Sequence, residues 1–122
     1  MQKPNLLLLV FFVCILIGCA RSSVTRIGSE TFPPLLETAN VFVYSNQSEV
    51  RRPFVAIGIV SYTDPGKYQV LTLDDAIPKL KAKARSIGAN GIIIDQNIPI
   101  RSGIISTGIS VKARAIRIHM EE

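Results

Sequence analysis

Few side chains in this sequence could do chemistry, and they form no recognisable reaction centre. The sequence has two cysteines, Cys14 and Cys19, and a single histidine, His119. A zinc site needs a cluster of Cys and His ligands, and nucleophilic catalysis needs a base and an orienting acid beside the nucleophile. Neither arrangement can be found around His119, and the adjacent pair Asp74 and Asp75 suits the start of a helix. The sequence therefore predicts no enzyme, no metal site and no bound cofactor.

Cys19 is distinguished by the residues before it. Lys3 supplies a positive charge, residues 6–17 are apolar without interruption, and Gly18 is a small residue. This pattern is typical of a secretory signal peptide that is cut after a small residue. An uncleaved membrane helix is the alternative, but a bilayer core needs about 20 apolar residues and this run is shorter. We therefore expect residues 1–18 to be removed and Cys19 to begin the mature chain.

The stretch Leu16-Ile17-Gly18-Cys19 resembles the lipobox of bacterial lipoproteins at every position. In that family the chain is cut before the cysteine, whose thiol carries a diacylglyceryl group and whose new amino group is acylated. The resemblance implies cleavage between Gly18 and Cys19 and a covalent lipid anchor on Cys19, where two or three acyl chains hold firmly. Ala20 stands where an aspartate in such proteins means retention at the inner membrane. The resemblance thus implies a protein of the cell envelope at the periplasmic face of the outer membrane.

This processing constrains what the mature chain can do. Cys14 is lost with the signal peptide and Cys19 carries lipid, so no thiol remains for a disulfide or a thiolate metal site. The net charge of +5 is mild, and no run of cations exceeds Arg51-Arg52. Such a charge fits an ordinary solvated surface, or a weak attraction to anionic lipid headgroups. Nucleic acid is not an expected partner, because the protein is exported.

The mature chain is expected to consist of a tether and one domain. Residues 19–34 are polar with no sustained apolar period, which predicts a lipidated tether without regular structure. Residues 35–122 are enough for one small domain. Within it, residues 41–44 and 54–62 predict two strands that could pair as a hairpin, and Gly58 predicts a bulge or the close approach of another element.

The only predicted helix follows these strands. Asp75 is its expected N-cap, which places Pro78 at the third helical position, where a proline costs no hydrogen bond. Gly88 is expected to end the helix in a left-handed conformation. The apolar stripe comprises Ile77, Leu80, Ala84 and Ile87. Four cations flank the stripe, namely Lys79, Lys81, Lys83 and Arg85. They are either side chains that border a buried face or a surface that binds a lipid, ligand or protein.

The remaining segments complete an α/β (α+β) domain. Residues 92–95 predict a buried strand, and a strand, a helix and a strand in succession predict a βαβ crossover with parallel strands in one sheet. Residues 96–108 predict either an extra hairpin or a mobile flap. Residues 109–119 predict a long C-terminal strand whose alternation changes phase near Ala115, through a bulge or a change in the covered face. The expected fold is a single mixed sheet with a hairpin, the crossover and this last strand.

Residues 41–118 also resemble a group of small bacterial envelope proteins. The resemblance is carried by Ile57-Gly58-Ile59-Val60, by residues 76–85, by the Gly88-Ala89-Asn90 turn with its flanks, and by residues 113–118. The group includes the lipoprotein sensor of the Rcs phosphorelay, the heavy-metal-binding-domain family and periplasmic stress proteins of the YhcN type.

This resemblance implies a non-catalytic domain that binds another envelope protein, in stress sensing or in assembly. The group also implies an alternative, a structural or small-ligand-binding component without a signalling role. Such a component would be a homo-oligomer that assembles through exposed strand edges.

Overall fold

A computed structural model describes residues 20–66, 70–102 and 105–120 of the chain. The elements are β1 (Arg21–Arg26), β2 (Phe42–Tyr44), β3 (Phe54–Asp64), α1 (Leu73–Ser86), β4 (Gly91–Ser102) and β5 (Ile105–Ile118). A short 3-10 helix, Gln47–Glu49, lies between β2 and β3. The strands form one five-stranded sheet in the order β1-β3-β5-β4-β2. The prediction of a single small α/β domain with a mixed sheet is confirmed.

β5 is the central strand of the sheet. It pairs antiparallel with β3 on one side and with β4 on the other. Because β3 and β4 both run opposite to β5, they are parallel to each other, and α1 connects them. The predicted strand–helix–strand unit is therefore present, with β5 inserted between its two strands. Of the two alternatives for residues 96–108, the hairpin is observed, since β4 and β5 stay paired as far as Ser102 and Ile105.

The predicted hairpin of residues 41–44 with residues 54–62 is wrong. β2 instead pairs in parallel with β4 at one edge of the sheet, and β3 lies beyond β5. Residues 45–53 connect β2 to β3. In this connection, Val50 packs against the face of the sheet opposite α1. That face buries Ile93, Ile116 and Ile118. The hairpin was predicted because the two strands are close in the sequence. The second face of the sheet is apolar and must be covered, and the connection between β2 and β3 covers part of it.

The prediction that residues 19–34 lack regular structure is wrong for Arg21–Arg26, which form β1. This strand pairs with the edge of β3, from Arg21 opposite Thr63 to Arg26 opposite Gly58. Within β1, Val24 is the residue that packs against the core. The strand is therefore held chiefly by main-chain hydrogen bonds to an edge that would otherwise be open. A polar sequence gives no local sign of such pairing, because the partner supplies the template.

The change of phase in β5 arises from a change in the covered face. Ala113 and Ala115 belong to the core under α1, whereas Ile116 and Ile118 belong to the opposite face. The nearby register shift lies in β3, between Ala56 and Gly58, which confirms the bulge predicted there. The predicted close approach is also confirmed. A Cβ at Gly58 would lie 2.5 Å from Cδ1 of Ile87 and 2.8 Å from the carbonyl oxygen of Thr25.

α1 begins earlier than the sequence predicted. Thr72 is the N-cap, and its amide and hydroxyl both donate to Oδ2 of Asp75, at 2.8 and 3.2 Å. Asp75 is thus the third helical residue rather than the cap. Pro78 consequently lies inside the helix, where its missing N–H removes one intrahelical hydrogen bond. The fully buried stripe is Ala76, Leu80 and Ala84, with Ile77 half-buried.

The end of α1 confirms the prediction for Gly88, whose φ is 84°. The amide of Gly88 donates to the carbonyl of Arg85 at 3.1 Å, and that of Ala89 donates to the carbonyl of Ala84 at 2.9 Å. This pair of bonds is the Schellman motif. Phe32 and Pro33 lie directly against the turn, since a Cβ at Gly88 would be 2.6 Å from both Cβ of Phe32 and the oxygen of Pro33. The segment that follows β1 is therefore packed onto the end of the helix.

Replacing Gly88 by alanine tests this packing. Gly88→Ala combines left-handed strain with overlap on Phe32 and Pro33. Gly28→Ala is a matched control, because Gly28 has a φ of 78° but no atom within 4 Å of its Cβ position. We expect Gly28→Ala to lower the free energy of unfolding by about 1–2 kcal/mol. Gly88→Ala should cost at least about 1 kcal/mol more. Urea denaturation of both variants is the measurement, and equal losses would contradict the packing against Gly88.

Candidate functional site

The predicted lipidation site lies just before the sheet. Gly18 and Cys19 are outside the described residues, so cleavage and lipidation stay predictions. β1 begins at Arg21, two residues after Cys19. Two residues of extended chain span about 7 Å. A lipid on Cys19 would therefore be held close to the first residue of an edge strand, and not at the end of a long tether. Within the described residues, no helix is long and apolar enough to cross a membrane.

The four cations predicted as a possible interaction surface all lie on α1, and their role as such a surface stays a prediction. Lys79 is exposed, while Lys81, Lys83 and Arg85 are half-buried. Nε of Arg85 donates to the carbonyl of Ala39 at 2.7 Å, so this side chain fastens the preceding segment to α1. None of the three lysines lies within salt-bridge distance of an acidic side chain among the described residues. The half-burial agrees with stems that cover the border of the apolar stripe.

A cavity at one end of the sheet was not predicted from the sequence. It has a volume of about 470 Å³ and lies where β3 begins and β5 ends. Its lining residues are Phe32, Pro53, Phe54, Val55, Arg117, Ile118, His119 and Met120. A second cavity of about 300 Å³ shares Ile118 and Met120 with it and extends toward Phe42. We call the two together the sheet-end groove.

The sheet-end groove is held by main-chain bonds between distant segments. Phe54 and Ile118 are opposite each other in the pairing of β3 with β5. Beyond that pair, the amide of His119 donates to the carbonyl of Pro53 at 2.9 Å. Val55 is 42% exposed and Met120 is 49% exposed, so apolar surface remains open to solvent here.

The rim of the groove is cationic. Arg51 and Arg52 are exposed, and neither has a carboxylate partner among the described residues. Nη1 of Arg52 lies 3.5 Å from Sδ of Met120. Nη1 of Arg117 donates to the carbonyl of Gly88 at 3.0 Å.

The guanidinium of Arg117 also lies 5.7 Å from the centroid of the Phe32 ring. Since Arg117 is used in this way inside the protein, Arg51 and Arg52 are the arginines at the groove that have no carboxylate partner among the described residues.

Asn90 supports the groove from within and was missed as a functional residue. It is 8% exposed, the one buried polar side chain found among the described residues. Its Nδ2 donates to the carbonyl of Ile118 at 3.0 Å, and its Oδ1 accepts from the amide of Ile118 at 2.6 Å. This side chain fixes the last residue of β5 on the side that β3 does not pair. The sequence did carry one sign of this role. Asn90 is the only polar side chain in a run of small and apolar residues, from Ile87 to Ile94.

No reaction centre is evident elsewhere in the described residues. No group of three or more His, Cys, Asp or Glu side chains is placed there to hold a metal ion. The hydroxyl of Tyr62 donates to Oδ2 of Asp64 at 2.9 Å. Burial raises the pKa of Tyr62, and the hydrogen bond and charge of Asp64 and the charge of Asp75 raise it further. Tyr62 therefore stays protonated at neutral pH and serves as a donor that orients Asp64, rather than as a base.

The comparisons with known proteins bear on the fold alone. The chain matches no protein family, and no curated protein matches it either. Among solved structures, it is similar to the crystal structure of a Francisella virulence factor, FvfA, with a TM-score of 0.56 and 18% sequence identity. The alignment covers 80% of this chain and 97% of that one. At this identity the likeness shows a shared small α/β fold.

Replacement of the side-chain amide of Asn90 by a carboxylate tests whether this side chain holds the end of β5. Asn90→Asp removes the donor to Ile118 and places a carboxylate against its carbonyl, which we expect to cost about 2–3 kcal/mol of unfolding free energy. Asn97→Asp is the control, because Asn97 is exposed on β4. The free energy of unfolding of this variant should stay within about 0.5 kcal/mol of that of the parent chain. Urea denaturation measures both, and a similar small loss in the two variants would contradict the assigned role.

Proposed function

We propose that this chain is a lipid-anchored protein of the bacterial cell envelope whose domain binds another envelope protein without catalysing a reaction. The observation that carries the proposal is the lipobox-like stretch Leu16-Ile17-Gly18-Cys19, two residues before the sheet. In this proposal residues 1–18 are removed and Cys19 carries a diacylglyceryl group and an acyl chain. The anchor lies at the periplasmic face of the outer membrane, as Ala20 favours.

The position of β1 orients the domain on its anchor. Arg21 is opposite Thr63, so the end of the sheet that contains Thr63 lies nearest to Cys19. The opposite end of the sheet is where Phe54 pairs with Ile118. The path from Phe54 to Thr63 along β3 is about 30 Å, at a rise of ~3.3 Å per residue. The sheet-end groove is thus at the end of the sheet farthest from the lipid.

The exposed apolar surface of the groove supports a binding role. A small domain that leaves contiguous apolar side chains open at one end commonly uses them for a partner. Here Phe42 and Met120 are exposed together in the second cavity, and Val55 is exposed in the first. An anchor that keeps this end away from the membrane makes it accessible to proteins of the same compartment.

A structural role in a homo-oligomer is the second candidate. It is favoured by β2, an edge strand whose Phe42 and Val43 are 39% and 36% exposed. An open edge with apolar side chains can pair with a second copy of the chain. Light scattering of the mature chain in detergent micelles separates the candidates, since a ring or a dimer supports the oligomer and a monomer supports the binding domain.

Mutation of the two cysteines tests the anchor. The parent chain expressed in a bacterial host should partition into the detergent phase and carry the mass of lipid on its first residue. Cys19→Ala should lack the mass of lipid and keep residues 1–18, because the thiol that carries the lipid, and before which the chain is cut, is absent. Cys14→Ala, the matched control, should leave the partition and the mass unchanged. Phase partition with mass spectrometry is the measurement.

Two results would refute the anchor. One is a Cys19→Ala chain that still carries the mass of lipid or still loses residues 1–18. The other is a parent chain whose mature form lacks lipid.

A further inference from the structure

We propose that the sheet-end groove binds an extended protein segment in which acidic side chains stand beside apolar ones. The proposal deepens the proposed function and rests on it for the placement of the groove away from the membrane. The chemistry of the groove itself is independent of the anchor. The floor, the rim and the length of the groove each favour this occupant.

The floor of the groove selects apolar side chains. Phe54 and Ile118 form its base, and Met120 covers it while remaining 49% exposed. A methionine side chain is flexible and polarisable, so it adapts to side chains of different shape. Burial of this surface by a partner removes apolar area from water, which favours association.

The rim selects carboxylates. Arg51 and Arg52 line the second cavity beside this floor, and both are exposed. An arginine presents paired donors that match a carboxylate, and such a charge-assisted pair is stronger than a neutral hydrogen bond. Glu49 also lines this cavity and accepts a hydrogen bond from Nδ2 of Asn46 at 3.2 Å. It forms no ion pair with either arginine, so the lining sets two guanidinium groups against one carboxylate, and this excess of positive charge is complementary to acidic side chains.

The shape of the groove favours an extended segment. The two cavities meet at Ile118 and Met120 and run from Phe32 past the ends of the strands to Phe42. A chain that crosses this length places alternate side chains toward the floor and toward the rim, because successive side chains of an extended chain point to opposite sides. A segment with alternating apolar and acidic residues meets both requirements at once.

The location of the groove favours a protein over a lipid surface. Thr63 marks the end of the sheet nearest to the anchor, and Phe54 lies about 30 Å from it along β3. A bilayer reached through the anchor on Cys19 meets the near end first. This placement favours a protein at the groove. Anionic membrane is the competing occupant, and the experiment must separate it from a peptide.

The test uses the full chain, expressed in bacteria and inserted into nanodiscs of zwitterionic lipid. The probes are a short labelled peptide in which leucine alternates with glutamate and the same peptide with lysine in place of glutamate. Fluorescence anisotropy gives the dissociation constants. We expect the acidic peptide to bind at least about tenfold more tightly than the basic one, because Arg51 and Arg52 form no ion pair with any described residue.

Charge reversal at the rim then identifies the site. Arg51→Glu with Arg52→Glu should weaken binding of the acidic peptide at least about tenfold. Met120→Ser, a second variant, should weaken it by removing part of the floor. Lys79→Glu with Lys83→Glu is the matched control, because it makes the same change of charge on α1, and it should alter binding less than about twofold.

Three outcomes would overturn the proposal. The first is equal binding of the acidic and basic peptides. The second is an equal loss from the variants of Lys79 and Lys83. The third is binding to phosphatidylglycerol vesicles that depends on Arg51 and Arg52 while the acidic peptide does not bind, which would assign the groove to membrane. A chain that fails to enter nanodiscs refutes the anchor instead, and peptide binding measured with that chain in solution still decides the occupant of the groove.

Discussion

The main chain of β5 is hydrogen-bonded along both of its edges, and the rest of the structure depends on this double pairing. β3 and β4 pair with it on either side, and these are the strands that α1 joins. A strand in this position buries side chains on both faces, with Ala113 and Ala115 under α1 and Ile116 on the opposite face. The core therefore has two layers around one strand. The described residues include no cysteine, so packing and backbone pairing on β5 hold this part of the chain together.

The end of β5 links the core to the groove. Ile118 is opposite Phe54 in β3, and the side chain of Asn90 bonds both main-chain polar groups of Ile118. The residues just beyond, His119 and Met120, are consequently held at the mouth of the groove although they follow the last strand. A binding surface built from the ends of rigid strands loses less conformational entropy on association than a surface built from a loose tail.

The features that the sequence predicted have local causes. The left-handed turn at Gly88 and the bulge at Gly58 each depend on one glycine and its immediate geometry. The helix and the long last strand follow from periodic burial, which is visible within a short window. Even there, the start of α1 differs from the prediction, because Asp75 bonds back to Thr72 as the third helical residue and does not cap the helix itself, which leaves Pro78 inside the helix.

The features that the sequence did not predict depend on partners that are distant in the chain. β1 is polar and becomes a strand only because β3 offers it an open edge. The groove combines residues 51–55 with residues 117–120, which are brought together by the register of β3 with β5. In the sequence, Arg51-Arg52 is an ordinary solvated pair, and only the fold places it beside an apolar floor. The cations of α1 follow a local pattern that is visible in the sequence, and their role as an interaction surface stays a prediction.

The place of β1 in the sheet is the central claim, since it sets both the short link to Cys19 and the distance from the proposed anchor to the groove. Hydrogen exchange at the amide of Ile27 tests it most directly, because this amide donates to the carbonyl of Ile57 at 3.0 Å, at the end of the pairing of β1 with β3. The account predicts that the Ile27 amide exchanges far more slowly than an amide in an unstructured peptide. Exchange at the unprotected rate would contradict it and would mean that residues 20–34 are a free tether.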